Sequence, residues 1–311
     1  MSGGPGVAHH FAGVCQARMA DKIPVVDSHH HFWDLKLFDY PWMPEGENVL
    51  RRNYGPSELA PLLKEAGVDK TVVVQAHQSV EEARWLLRVA AETPFVAGVV
   101  GWVDLTDPQV GRTLDELQKD SLFKGVRHIW HDEPDDDWLA RPAAVRGLNE
   151  VARRGLAYDL LVRPRHLRYV EPIMDAVPDL RAVIDHIAKP DIKAHMVEPW
   201  LSGLRRVANI PGMMCKVSGM VTEADHQKWT PQDLRPYIAH VLGMFGWDRL
   251  MFGSDWPVCR LAGSYAQVIG AAREGLASLR PHEKSAVFGG NAASFYGLGA
   301  VPRAPAAPSA H

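Results

Sequence analysis

Several short motifs combine residue types that could do chemistry. Residues 25–34 read VVDSHHHFWD, with three consecutive histidines between two carboxylates. Further along the chain, GVRH contains Arg127 and His128, IDHIAKP contains His186 and FGSDWP contains Asp255. Imidazole and carboxylate groups bind divalent metals, and they also act as general acids and bases. Residue types alone therefore leave a metal site, a general-base site and a compositional accident open.

Each of these motifs ends a short apolar run, and such runs alternate with stretches of helical spacing. A stretch such as PSELAPLLKEAG is typical of a helix, with Ser57 expected as its N-cap. Eight alternating strands and helices predict a single-domain α/β fold, a (β/α)8 TIM-type barrel, regular or distorted. A doubly wound open sheet is the rival, weakened because no Gly-rich dinucleotide turn follows a strand. The predicted strands are IPVVDSHHH, KTVVVQA, FVAGVVGWVD, FKGVRHIW, LAYDLLV, LRAVIDHIA, GMMCKVSGM and RLMFGSDW.

The two ends of the chain differ from the rest in composition. Residues 1–21 are rich in Gly and Ala without helical period and are expected to form a mobile N-terminal arm. Residues 300–311 are rich in Pro and Ala and are expected to form a disordered tail. The barrel is therefore assigned to residues 22–299.

Composition narrows the class of partner. The net charge is -3, without the basic excess that nucleic acid binding requires. No run approaches the roughly 20 apolar residues that cross a bilayer. The 3 cysteines are scattered and favour a reducing compartment, so the cytoplasm is the expected location. A small molecule is the expected partner, and assembly into a homo-oligomer is left open.

Barrel active sites form at the carboxyl ends of the strands, where four candidate side chains are predicted to lie. Alternation along a strand points His29 and His31 the same way and His30 the opposite way. With His186 after strand six and Asp255 after strand eight, they would form a shell for one divalent ion, with zinc favoured. Each residue alone has a structural alternative, such as a hydrogen-bonded histidine or a turn-capping aspartate. All four residues are predicted at the carboxyl ends of strands, and this agreement favours a metal site over the structural alternatives.

Other strand-end residues are candidates for substrate contact. The Arg127 guanidinium is equally suited to bind a substrate oxygen or to form a structural salt bridge. Trp33 is the favoured aromatic of the long loop after strand one, because it follows the histidines most closely. The acidic run HDEPDDDW is expected to be a solvated loop, with binding of sugar hydroxyls as the alternative. The candidate substrate-binding residues are Arg127, His128, Trp33, Lys216, Trp102 and Gln75.

Taken in order, these motifs and the late FGGNAASFYGL resemble the amidohydrolase superfamily. The similarity is to its sugar-lactone hydrolase branch, which includes L-fuconolactonases and L-rhamnonolactonases and is related to 2-pyrone-4,6-dicarboxylate lactonases. It implies a distorted barrel and a site made of His29, His31, His186 and Asp255. Many relatives carry a metal-bridging residue on strand four, but Lys124 comes too early in that strand for this role. Because some members of the branch work without metal, both a one-metal and a metal-free mechanism stay open.

This resemblance implies hydrolysis of the lactone of a sugar-derived aldonic acid. Asp255 would take a proton from water and return it to the leaving oxygen, while the histidines or their metal polarise the carbonyl. Few cations lie at the strand ends, which favours a neutral sugar lactone over a pyrone dicarboxylate. Two alternatives remain: a metal-dependent decarboxylase with the same shell, and a barrel that binds a small ligand without turnover.

Overall fold

The computed structural model describes residues 23–299, so the predicted arm (1–21) and tail (300–311) lie outside the described residues. Eight parallel strands follow one another around a single sheet in chain order, which confirms the predicted barrel. Each strand lies within one of the predicted apolar runs. The strands are β1 Val26–His30, β2 Lys70–Val74, β3 Val96–Gly101, β4 Phe123–His128, β5 Ala157–Leu160, β6 Arg181–Ile184, β7 Met214–Val217 and β8 Leu250–Phe252.

Helices connect the strands and cover the outside of the barrel. None of the helices within residues 23–299 is long and apolar enough to cross a membrane. The helices are α1 Pro56–Ala66, α2 Val80–Ala91, α3 Val110–Leu117, α4 Pro142–Arg153, α5 Leu167–Ala176, α6 Trp200–Ala208, α7 Pro231–Phe245, α8 Tyr265–Gly275, α9 Pro281–Ser285 and α10 Asn291–Tyr296.

The start of α1 corrects one expectation. Gly55 is the N-cap, whereas Ser57 lies inside the helix. Pro56 occupies the first helical position, where its fixed φ and missing N–H cost nothing. The Glu58 carboxylate accepts a hydrogen bond from the Gly55 N–H at 2.8 Å and so does the capping from within the first turn.

The barrel is distorted where β8 meets β1. The register of β1 against β2 shifts between Asp27 and His30, and on its other side His30 forms an isolated bridge with Trp256, beyond the end of β8. Two backbone bonds join the two ends: His31 N–H donates to the Trp256 carbonyl at 2.7 Å, and Asp255 N–H donates to the His29 carbonyl at 2.8 Å. The Asp27 carboxylate also accepts from the Ser254 N–H at 2.9 Å. The irregular seam therefore brings the HxH pair next to Asp255.

The amino-terminal end of the barrel is filled. Valines of several strands, Val72 and Val100 among them, pack inside the barrel against Phe295 and Tyr296 of α10. A second, larger cluster lies between the strands and the surrounding helices. Polar and charged side chains are buried instead towards the carboxyl ends of the strands, which is where a site can form.

Candidate active site

A cavity of about 280 Å³ opens at the carboxyl ends of the strands. Three of the four predicted catalytic residues, His31, His186 and Asp255, line it together with Arg127. The volume lies near the lower end for small-molecule sites and suits one monosaccharide-sized ligand.

The Asp255 carboxylate lies among three imidazole rings. Its Oδ1 is 3.3 Å from His31 Nε2, 3.8 Å from His186 Nε2 and 3.9 Å from His29 Nε2. All four side chains are buried. His30 faces the other way, as alternation predicts, and bonds to the Thr71 hydroxyl at 2.9 Å. The structure thus brings the predicted catalytic set together around one oxygen atom.

The backbone is strained where two of these side chains are presented. Asp255 has φ 56°, and the four residues from His186 to Lys189 all have φ between 47° and 61°. Left-handed conformation costs a non-glycine residue about 1–2 kcal/mol. Within this turn His186 and Lys189 line the cavity, whereas Ile187 and Ala188 are fully buried. The strained turn therefore aims two polar side chains at the same space.

Two glycines give the histidines room, and sequence reasoning missed both. A Cβ on Gly219 would lie 2.4 Å from His186 Nδ1, and one on Gly253 would lie 2.6 Å from His29 Cβ. Gly219 also has φ 58°, which glycine alone adopts without strain. The sequence did carry a signal for both residues, because each glycine lies within three residues of the end of a predicted strand.

The orientation of His31 tests whether the site fits a metal. Its Nδ1 lies 2.8 Å from the Val74 carbonyl, which can only accept, so Nδ1 carries a proton. In the neutral ring, Nε2 then points its lone pair at Asp255 Oδ1, an acceptor 3.3 Å away. Two facing acceptors repel each other unless a cation or a proton lies between them. This arrangement fits a bound cation.

The donor set also fits a metal ion. His29, His186 and Asp255 each offer a ligand atom within 4.8 Å of the others. Burial lowers the pKa of His29 and of His186 well below its ordinary value, so both rings are neutral, as ligands must be. Arg127 Nη1 lies 3.3 Å from His29 Nε2 and would compete with a metal for the same lone pair.

Lys216, which the sequence favoured as a substrate contact, lies beneath this cluster and not in the cavity lining. Its ammonium is 3.0 Å from His29 Nδ1 and 3.0 Å from Asp185 Oδ1, and it pairs with Asp159. All these side chains are fully buried. The Tyr296 hydroxyl of α10 donates to Asp159 at 2.8 Å. A second group of potential metal ligands is formed by His29, Asp159 and Asp185. The Lys216 ammonium contacts all three and takes the place of a metal ion there.

Arg127 forms the salt bridge that was one of its two alternatives, and its position leaves the other, contact with a substrate oxygen, open. Its guanidinium pairs with Asp185 at 3.4 Å and lines the cavity. Gln75 holds it in place, since Arg127 Nη2 donates to the Gln75 backbone carbonyl and, at 2.9 Å, to its Oε1. Gln75 itself is fully buried and does not line the cavity, so it supports Arg127 instead of meeting a ligand.

His128 and Trp102 also lie outside the cavity lining. The His128 ring stacks on Trp138 with centroids 3.9 Å apart. Trp102 Nε1 donates to His128 Nδ1 at 3.0 Å, so Nε2 carries the proton and donates to Glu133 at 2.7 Å. These contacts fasten the acidic loop that follows β4.

The acidic loop divides into two parts. Asp135 and Asp137 pair with Arg141 at the surface, as expected of a solvated loop. His131 and Asp132, however, line the cavity, with His131 Nε2 3.3 Å from Asp132 Oδ1. The alternative reading, contact with a ligand, therefore fits the start of the loop.

Trp42, not Trp33, is the aromatic residue of the first loop that lines the cavity. Trp33 is almost fully buried, its Nε1 donates to the Arg52 carbonyl at 2.8 Å, and its ring packs against Tyr54. Trp42 is held over the cavity because its Nε1 donates to the Ala76 carbonyl at 2.7 Å. Proximity in sequence to the histidines was a poor guide, because Trp33 turns inward to fold the loop.

Glu82 joins two loops around the cavity, and sequence reasoning missed it. Its buried carboxylate accepts from the backbone N–H groups of Ala76 and His77 at 3.0 and 2.9 Å. It also accepts from the Tyr40 hydroxyl at 3.2 Å, which fixes the loop that carries Trp42. Burial raises the pKa of Glu82 to about 8.

Replacing Glu82 with glutamine is expected to flatten the pH dependence of stability. The pKa of Glu82 is higher in the folded chain than its ordinary value of 4.5, so the folded state binds a proton more tightly. The free energy of unfolding of the wild type therefore falls as the pH rises from 4.5 to about 8. Glu82→Gln cannot lose a proton and lacks this fall. Calorimetric Tm values across this window measure the difference. The exposed neighbour Glu81, as Glu81→Gln, is the control, and equal slopes in Glu82→Gln and wild type would contradict the expectation.

A (β/α)8 barrel with a buried histidine–aspartate cluster at the carboxyl ends of its strands defines a class of barrel enzymes acting on small molecules. Within this class, the chain belongs to the amidohydrolase family, whose sequence profile matches residues 26–298.

Named relatives cover nearly the whole barrel. The chain is 41% identical to an L-fucono-1,5-lactonase of Burkholderia ambifaria over 278 residues, which is 87% of this chain and 94% of the relative. It is 37% identical to an L-fucono-1,5-lactonase of Burkholderia multivorans, covering 88% and 96% of the two chains. A zinc-bound crystal structure of an amidohydrolase from Burkholderia multivorans superposes with a TM-score of 0.85 at 35% identity, covering 89% of this chain and all of that one.

Proposed function

We propose that the protein hydrolyses the ring ester of a sugar-derived, aldonic acid lactone with an activated water. The observation that carries the proposal is the Asp255 carboxylate, buried among three imidazoles at a cavity of monosaccharide size. The names of the two lactonase relatives support the same substrate class.

Asp255 is the general base and then the general acid. Its carboxylate takes a proton from water while the water oxygen bonds to the lactone carbonyl carbon. When the bond from that carbon to the ring oxygen breaks, the protonated Asp255 returns the proton to the leaving oxygen. The product is an open hydroxy acid, and Asp255 is ionised again.

Arg127 stabilises the negative charge that develops on the carbonyl oxygen. Gln75 and Asp185 hold its guanidinium before the substrate arrives, so no reorganisation is needed during reaction. The neutral His186 ring is fixed by the Ser218 hydroxyl, 2.9 Å from its Nδ1, and its other nitrogen faces Asp255 and the cavity. Both residues orient the carbonyl towards the base.

We further propose that His29, His31, His186 and Asp255 hold one divalent ion, with zinc favoured by the imidazole and carboxylate donors. Such an ion, when bound, supplies a Lewis acid for the carbonyl and lowers the pKa of water. In its absence, the Arg127 guanidinium donates hydrogen bonds to the oxyanion, together with His186 Nε2 when His186 Nδ1 accepts from the Ser218 hydroxyl.

A panel of purified sugar lactones tests the reaction. Wild-type protein in weak buffer with a pH indicator is expected to release acid from at least one aldonic acid lactone. Silence across the panel would contradict the proposal. Carbon dioxide released from an aromatic acid would then favour the decarboxylase, and lactone binding without acid release would favour a binding protein.

Removing metal is expected to lower kcat by about tenfold or more, because the Lewis acid is lost. Elemental analysis of the purified chain, dialysis against a chelator and readdition of zinc measure the effect. One zinc per chain and recovery on readdition support the metal version. Full activity in protein shown by elemental analysis to be metal-free would contradict it and favour Arg127 as the sole electrophile.

A further inference from the structure

Four charged side chains form a rim beside the catalytic cluster. Asp132, Arg163, Lys189 and Glu223 all line the cavity. They follow β4, β5, β6 and β7 in turn, so they form a continuous arc around one side of the barrel mouth. We call these four residues the charged rim.

Glu223 lies between the two cations of the charged rim. Its Oε1 is 2.6 Å from Lys189 Nζ, and its Oε2 is 3.6 Å from Arg163 Nη1. The Lys189 and Glu223 side chains are only 11% and 16% exposed, so this pair is poorly screened by solvent. One carboxylate thus pairs with both cations, and all three side chains line the cavity.

Asp132 supplies the second negative charge of the rim. The hydrogen bond from His131 lowers the pKa of Asp132, and the positive charges of Arg163 and Lys189 lower it further. Two carboxylates therefore balance two cations, and the charged rim is neutral as a whole.

The backbone fixes the position of Lys189, unlike that of a lysine on a mobile surface loop. It ends the left-handed turn that begins at His186, and its backbone N–H donates to the His186 carbonyl at 2.8 Å. The same strained turn therefore sets the position of both a catalytic histidine and the ammonium of the charged rim.

We propose that Glu223 determines substrate charge: by occupying Lys189 and Arg163, it selects neutral polyhydroxylated lactones and rejects lactones that carry a second carboxylate. Hydroxyl groups can donate to the carboxylates of the rim and accept from its cations. The carboxylate of a sugar-diacid monolactone would be repelled by Asp132 and Glu223. It would also find Lys189 and Arg163 already paired, so the rim would discriminate against it. This inference rests on the proposed lactonase function.

Glu223→Gln tests the proposal, because it keeps the side-chain shape and removes the charge. The ratio of kcat/KM for an aldaric acid monolactone to that for the matching aldonic acid lactone is expected to rise by about tenfold or more. Lys189→Gln makes the rim more negative and is expected to lower the same ratio. Glu171→Gln, an exposed charge on α5 outside the cavity, is the matched control and should leave it unchanged.

A second readout separates this inference from the proposed function. Calorimetric binding of aldonate and aldarate anions needs no turnover, and aldarate should gain affinity relative to aldonate in Glu223→Gln. Wild-type protein that hydrolyses no lactone would contradict the lactonase function, while the binding ratio would still decide the role of Glu223. A ratio within twofold of wild type in both folded variants, Glu223→Gln and Lys189→Gln, would overturn the inference.

Discussion

Asp255→Asn is expected to lower kcat/KM for lactone hydrolysis by about a thousandfold or more. Asparagine keeps the shape of the side chain but cannot take a proton from water or carry it to the leaving oxygen. The loss should fall mainly on kcat, because the residues that bind the ligand stay in place. Steady-state kinetics on the lactone that the wild type prefers is the measurement.

The control for Asp255→Asn is Asp175→Asn, an exposed residue on α5 with the same change of charge. Tm and far-ultraviolet circular dichroism of both variants separate lost chemistry from lost folding. Activity within tenfold of wild type in folded Asp255→Asn would show that another group activates the water, and the three imidazoles would then be the next candidates.

Lys216→Met is expected to destabilise the protein by about 3–5 kcal/mol, because it leaves the buried Asp159 carboxylate without its cation and Asp185 with Arg127 alone. Asp159 and Asp185 are both fully buried, and Lys216 is the ammonium that pairs with each. The variant should also lower kcat, since His29 loses the contact at its Nδ1. Urea unfolding monitored by tryptophan fluorescence gives the free energy of unfolding.

Two further variants test this explanation of Lys216. Lys124→Met, where the ammonium donates to the Gly297 carbonyl at 3.0 Å and the side chain is partly exposed, should change the free energy of unfolding by about 1 kcal/mol or less. Adding Asp159→Asn to Lys216→Met removes one stranded charge and should recover part of the stability. Equal effects of Lys216→Met and Lys124→Met would contradict the buried-network account.

The sequence was informative wherever periodicity reports burial. Apolar runs at regular intervals predicted all eight strands, and the two-residue alternation of a strand predicted that His29 and His31 face the same way. The rule that barrel sites form at the carboxyl ends of strands then brought His186 and Asp255 to the same place. These inferences needed only local pattern and one general rule of topology.

The sequence did not predict how deep some side chains lie or which way they face. Lys216 and Gln75 were correctly placed near strand ends, but their depth in the barrel decides that they support His29 and Arg127. Trp33 and Trp42 belong to one loop, and only the packing of that loop decides which indole faces the cavity. No local pattern encodes these distinctions, because they depend on contacts between residues far apart in the chain.

By itself, the sequence determined the barrel and the order of its strands, and it predicted the four side chains that we propose act on a water molecule. Only the tertiary structure decided the strained turn that aims His186 and Lys189, the sharing of Glu223 between two cations and the burial of Lys216. The physical reason is that strand periodicity is a short-range property of the chain, whereas burial and charge pairing are set when distant loops meet around one cavity.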